Sequence, residues 1–292
     1  MVLVYYIFTG LVQILSKLPL GFLYLKSGIL SFMLYRVIRY RREVVAGNLR
    51  NAFPGKTDAE RKKIEKQYYR NLADIIMEVV KWRTISPEEL LSRFRFENIE
   101  LMEAAFERGQ GVIIAIGHCG NWEWMGTALG LISDKKGYAI VKPLTDKRFD
   151  KYMRELRHRL NPDSTIPFKE TFRRMLVNKK KGPTFNVFAA DQTPTRDEIN
   201  YWTEFLNQDT GFFLGIEKIA RSLDFAVIFV DMVREKRGHY KGIMSLISDR
   251  PSQTEEFEIT EKYVRSLEKA IQDNPSNWLW SHRRWKHKRN SE

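Results

Sequence analysis

The chain has 292 residues, 43% hydrophobic and 29% charged. That is enough for a sizeable core in one large α/β domain or two small ones, and too apolar for a disordered chain. The formal charge of +13 favours a polyanionic partner (nucleic acid, an anionic membrane surface, or a phosphorylated or acidic protein), while the single cysteine, Cys119, excludes an internal disulfide and a thiolate metal cluster.

The first sixteen residues, MVLVYYIFTGLVQILS, carry no charged side chain. The apolar run resumes after Lys17 as LPLGFLYL and after Lys26 as SGILSFMLY. A spanning helix takes about 20 apolar residues in a row, and the two lysines interrupt the run, although a lysine can snorkel to the headgroups. Residues 1–36 are therefore expected to cross the bilayer as a helix or to lie in its interface as a pair of helices. A buried core hairpin is the alternative. A secretory signal fits poorly, because no basic stretch precedes the apolar run. RVIRYRR then sets Arg36, Arg39, Arg41 and Arg42 directly behind it. Basic clusters beside a membrane segment mark the cytoplasmic side and contact anionic lipid. The expected arrangement is an inner-membrane protein with residues 37–292 as a domain in the cytoplasm.

Residues 38–53 read as a helix ending near NAFPG, where Pro54 and Gly55 break the pattern. TDAERKKIEKQYYRNLADIIMEVVKW opens with Thr57 and Glu60 in capping-box spacing and predicts a long helix. Ser86, Pro87 and Glu89 repeat the device. Short apolar or β-branched runs follow at 111–117, 138–143, 164–168, 184–191 and 225–232, separated by helical stretches. Such alternation predicts an α/β fold with a mostly parallel sheet flanked by helices, and GHYKGIMSLIS adds an antiparallel strand near the end. Sites in open α/β sheets gather at the carboxyl ends of strands. His118 and Asp191 both follow such ends.

His118 and Glu123 are five residues apart in IAIGHCGNWEW. On one helix they would face different ways. They converge if the histidine occupies a turn before a helix starting near Asn121, a good cap residue, with Gly117 and Gly120 permitting the turn. A carboxylate on one imidazole nitrogen fixes the tautomer and frees the other as a base, which can deprotonate a hydroxyl as it attacks a carbonyl. A histidine at a strand end also serves simply to bond backbone. Cys119 is a second candidate nucleophile, but neighbouring side chains in extended backbone point apart. Five scattered histidines offer no metal-ligand spacing.

At these residues the chain resembles the bacterial lipid A biosynthesis (late-step) acyltransferases of the lysophospholipid acyltransferase superfamily, whose shared motif is His–x4–Asp/Glu. GHCGNWEW is similar to the family signature, NLRNAFPGKTDAER to its N-terminal segment, AADQ to its Asp-Gln motif and WLWSHRRWK to its closing segment. The order holds over nearly the whole chain. The resemblance implies a glycerolipid-acyltransferase-like fold and acyl transfer from acyl-carrier protein or coenzyme A to a hydroxyl of a membrane glycolipid, with no cofactor. It also implies His118 as base and Glu123 as its partner. A supporting arginine would fall in RELRHRL, on Arg159 first and Arg157 second. Asn121, Asp191 and Gln192 would line or brace the substrate pocket.

HRRWKHKR near the C-terminus interleaves basic residues with Trp285, close to Trp278 and Trp280, and is expected to face lipid headgroups. Besides a non-catalytic lipid-binding scaffold that kept the fold, which an intact His118/Glu123 pair counts against, two rivals compete with the leading reading. One is the same chemistry on a glycerophospholipid, an aminolipid or a glycolipid pigment precursor. The other is a nucleic-acid binder, which rests on charge and lacks any helix-turn-helix, zinc or RNA-binding signature; nucleic acid is not an expected partner.

Overall fold

The computed structural model describes residues 2–289. Met1 and residues 290–292, at the extremes of the expected segment and domain, lie outside them. α1 (Val2–Leu15) and α2 (Leu20–Phe32) form the apolar N-terminal segment, with Pro19 before the second helix. A π-helical turn at Met33–Val37 continues α2. The 18 residues Leu20–Val37 are long and apolar enough to cross a membrane; α1, about 21 Å long, is too short to do so alone. Both helices leave large apolar side chains exposed, among them Leu3, Ile7, Leu11 and Ile14 on α1 and Leu25, Ile29 and Phe32 on α2.

The body begins with α3 (Arg42–Ala52) and α4 (Asp58–Trp82), the latter opened by the predicted Thr57/Glu60 capping box. α2 packs along α4, and its polar face is tied there: Tyr24 donates to the Glu78 carboxylate at 2.9 Å and Ser27 to Asp74. α5 (Pro87–Arg93) has Ser86 as its cap, accepting from the Glu89 N–H. β1 (Phe94–Glu97), α6 (Glu100–Glu107), β2 (Val112–Ile116), α7 (Trp122–Ile132), β3 (Gly137–Val141), α8 (Lys147–His158), β4 (Thr165–Pro167), α9 (Thr171–Lys179) and β5 (Phe185–Ala189) follow. After them come β6 (Tyr201–Phe205), β7 (Gln208–Phe212), α10 (Gly215–Leu223), β8 (Ala226–Lys236), β9 (His239–Ser248) and α11 (Glu258–Asp273).

Seven strands make one sheet in the order β1-β9-β8-β2-β5-β3-β4. Every pairing is parallel except β8 with β9, the antiparallel addition expected from GHYKGIMSLIS. β2 lies between β5 and β8 with all five residues buried, as a strand covered on both faces should be. The register sets Ile116 beside Ala189, the last residues of β2 and β5. Two residues beyond each lie His118 and Asp191, so the sheet delivers these side chains to one spot at its carboxyl edge. β6 and β7 form a separate hairpin that the sequence pattern does not announce.

Candidate active site

The turn between β2 and α7 is built on two glycines. A Cβ on Gly117 would come within 2.5 Å of Leu267 Cδ1, and Gly120 has φ +52°, a conformation side-chain-bearing residues rarely take. The Gly120 N–H donates to the Asn277 carbonyl at 3.0 Å, which ties the turn to the C-terminal segment. Asn121 then caps α7 by accepting from the Trp124 N–H at 3.0 Å, while its amide donates to Glu78 at 2.9 Å. Asn121 is wholly buried. Both ends of its amide are engaged in holding the turn, so it braces the site from behind.

The carboxylate that meets the His118 imidazole is that of Asp191. Its Oδ1 lies 2.6 Å from Nδ1, and its Oδ2 accepts from the His118 backbone N–H at 2.9 Å and from Trp278 Nε1 at 2.7 Å. Asp191 is buried, and its carboxyl is held down at about 2: burial opposes ionisation, and His118 together with the hydrogen bonds outweighs it. Burial alone would lower the imidazole pKa, but the Asp191 charge and hydrogen bond, with a smaller push from Glu123, raise it above 6.5. With Nδ1–H donated to Asp191, Nε2 is left as an acceptor, 3.3 Å from the Gln192 amide nitrogen. Trp122 packs edge-on against the ring, with centroids 5.0 Å apart.

Glu123 is not in hydrogen-bond contact with the imidazole. Arg157, on the last turn of α8, grips it with two bonds of 2.6 and 3.0 Å. This departs from the expected His118–Glu123 hydrogen bond for a geometric reason: Glu123 opens α7 and points toward α8, whereas β5 brings Asp191 under the ring. The order of the two arginines also reverses. Arg159, one residue past the end of α8, turns away and donates to the carbonyls of Trp82, the last residue of α4, and of Ile85 just beyond it, both at 2.7 Å. Arg157, the second choice, is the one at the site. Cys119 is buried, and burial pushes its thiol well above the ordinary value, which disfavours the thiolate that attack requires.

The tryptophan-rich C-terminal segment is divided. Trp278 and Trp280 are buried, and Arg284 is 2% exposed, bonded to the Gly211 carbonyl and stacked over Phe212. These residues form a wall of the site, while Arg283, Lys286, Lys288 and Arg289 stay exposed. His282, held down to about 4 by burial, is a neutral acceptor for the Thr193 N–H at 3.0 Å and fixes the loop after Asp191. Glu78 was overlooked. It is fully buried, accepts from Tyr24, Asn121 and Tyr240, and burial pushes its carboxyl up. The signal in the sequence is an acid set inside the apolar run IIMEVV.

A cavity of about 860 Å³ opens over this edge. His118, Trp122, Glu123, Arg157 and Gln192 stand at one part of it. From there it runs between the small residues Gly126 and Gly130 of α7 and the apolar side chains Ile140 and Val187 of the sheet.

The sequence profile of the bacterial lipid A biosynthesis acyltransferases matches residues 1–287. The chain belongs to that family. It is 23% identical over 281 residues to a lipid A biosynthesis palmitoleoyltransferase of Escherichia coli (strain K12), an alignment covering 95% of this chain and 89% of the relative. A lipid A biosynthesis acyltransferase of Shigella flexneri shows the same identity and coverage. As a lipid A biosynthesis acyltransferase family member, the protein is an acyltransferase, and His118, Glu123 and Arg157 lie together at the cavity of that enzyme.

Proposed function

We propose that this acyltransferase moves a fatty acyl chain from a thioester of acyl-carrier protein or coenzyme A to a hydroxyl of a lipid A precursor, with His118 as general base. The observation that carries the reading is an imidazole whose Nδ1 is engaged by buried Asp191 while Nε2 faces the cavity. Nε2 takes the acceptor's hydroxyl proton as that oxygen attacks the thioester carbonyl. A carbon–oxygen bond forms, and the carbonyl π electrons move to oxygen. When the tetrahedral intermediate collapses, the carbon–sulfur bond breaks and the imidazolium returns its proton to the departing thiolate. General base catalysis of this kind is worth about 10²–10⁴ in rate.

Arg157, oriented by Glu123, and the N–H groups opening α7 offer the charge that the developing oxyanion needs. The open space at Gly126, where an added Cβ would meet nothing within 4 Å, suits an acyl chain. Lys135, Lys136 and Lys142, which also line the cavity, suit the phosphates of an acceptor. A second cavity of about 460 Å³ extends from Leu34 at the end of α2 past Leu72 and Ile76, and shares Gln192 and Leu279 with the first. A lipid leaving a bilayer at α2 would reach Nε2 by this route. The bare apolar faces of α1 and α2 support their seating in the inner membrane, with the body of the protein in the cytoplasm.

The test is transfer of labelled acyl chain from acyl-carrier protein to a lipid A precursor by the purified enzyme. His118→Ala should abolish transfer with the thermal midpoint unchanged; full activity in that variant ends the proposal. Mass spectrometry of lipids from a strain lacking the gene should show a lipid A species short of one acyl chain. A deficit in a glycerophospholipid or aminolipid instead would reassign the acceptor.

A further inference from the structure

A second recess, away from the imidazole, lies between α2, α4 and the turn joining β8 to β9. Its volume is about 700 Å³. Arg70 and Lys236 are exposed on its lining and meet no carboxylate among the described residues. Arg234 and Arg237 also line it, and both bind Asp74, which is 4% exposed and the only acid in the lining. Four cations thus face one carboxylate, and among the described residues neither Arg70 nor Lys236 is neutralised. Such an excess in a concave, partly dehydrated place attracts a small anion.

The recess has a polar floor and an apolar lip. The floor carries the side-chain amides of Gln67, Asn71 and Asn274 with the hydroxyl of Ser276, groups that can accept as well as donate. At the lip, α2 contributes Gly28, where an added Cβ would meet nothing within 4 Å. A smaller groove of about 310 Å³ shares Gly28, Ser31 and Arg70 with the recess and adds Arg36, Lys66 and Phe32. On the adjoining stripe of the same helix, Leu25, Ile29 and Phe32 are 67, 59 and 60% exposed. A ligand that fills the place is therefore anionic and hydroxylated at one end and apolar at the other.

We propose that this recess binds the headgroup of an anionic glycerophospholipid, the phosphodiester against Arg70 and Lys236 and the headgroup hydroxyls toward the amide-lined floor. Its acyl chains lie along the exposed stripe of α2. Phosphatidylglycerol has this chemistry. Phosphatidylcholine has the same phosphate but brings a fixed positive charge into a pocket already rich in cations. The proposal rests on the reading that α2 is seated in a bilayer. It is more specific than general attraction to an anionic surface, because it names one pocket and requires Gly28 to leave it open.

The full-length enzyme in a neutral detergent, stripped of lipid, tests it by thermal denaturation with monomeric dihexanoyl phosphatidylglycerol. Ligands that bind the native state raise the midpoint. Phosphatidylglycerol should raise it by about 3 °C at saturation, while dihexanoyl phosphatidylcholine and glycerol 3-phosphate at equal concentration do not. Gly28→Leu, which fills the recess without removing a charge, and the double variant Arg70→Ala/Lys236→Ala should each lose the shift while keeping the basal transfer rate. Equal shifts with phosphatidylcholine, or variants that keep the response, overturn the proposal. An equal response to glycerol 3-phosphate makes the ligand a soluble phosphate and overturns the lipid assignment. Flotation of the wild type with neutral vesicles tests bilayer seating separately, so failure of one reading is distinguishable from failure of the other.

Discussion

The two walls that flank His118 are built differently. On the sheet side, Asp191 is buried and locked by three donors: the imidazole, the backbone N–H of His118 and the Trp278 indole. On the helix side, Glu123 and Arg157 neutralise each other at the cavity surface, with side chains 15 and 24% exposed. A buried acceptor held by three donors fixes a tautomer and a ring angle. A mostly buried ion pair that borders the cavity keeps Arg157 charged and oriented, ready to meet new negative charge there. The contrast teaches that the acid in the sequence motif need not be the acid that holds the base.

The sharpest way to break this contrast is to remove each acid in turn. Asp191→Asn should lower kcat by about 10³–10⁴ with little change in KM, because an amide can hold the wrong tautomer. Arg157→Ala should cost about 10² in kcat, the scale of one lost oxyanion donor, and Arg157→Lys should recover part of it. Glu123→Gln should cost only about tenfold, near 1.4 kcal/mol in barrier. If steady-state kinetics give Glu123→Gln a loss equal to that of Asp191→Asn, the helix-side acid is the imidazole's partner after all.

The pH profile sharpens the same comparison. His118 must be neutral to accept a proton, and its pKa is raised above 6.5, so kcat/KM should climb with pH through a value above that. Asp191→Asn removes the charge that raises it; burial then prevails, and the limb should move to lower pH. The smallest effect on rate is expected from Arg159→Ala. It leaves the Trp82 and Ile85 carbonyls without their donor and should cost about 1–2 kcal/mol of stability, seen in a denaturant titration, with kcat unchanged.

How much of this was legible in the sequence followed the range of each interaction. The Thr57 and Ser86 caps and the glycine-flanked turn are local, and each reads directly from a few residues. The alternation of apolar runs with helical stretches gave the parallel sheet. What it hid were β1 and the β6–β7 hairpin, short and polar stretches such as FRFE and YWTEF that carry no long apolar run. The imidazole's partner lies 73 residues away, and no spacing rule reaches across a sheet. Arg157 and Arg159 differ by one step past a helix end, which decides between two opposite directions. At the C-terminus, a basic, tryptophan-rich stretch reads the same whether its rings meet lipid or fill a core; here Trp278 and Trp280 fill a core and most of the basic residues stay exposed.

One carboxylate, that of Glu78, is shared by Tyr24 of α2 and by Asn121, the first residue behind the turn that carries His118. The apolar N-terminal helix and the candidate site therefore have no slack between them. A tilt of α2 that breaks its bond to Glu78 leaves a dehydrated acid short of a donor, and the next group that acid holds is the one that shapes the path of the chain beneath His118.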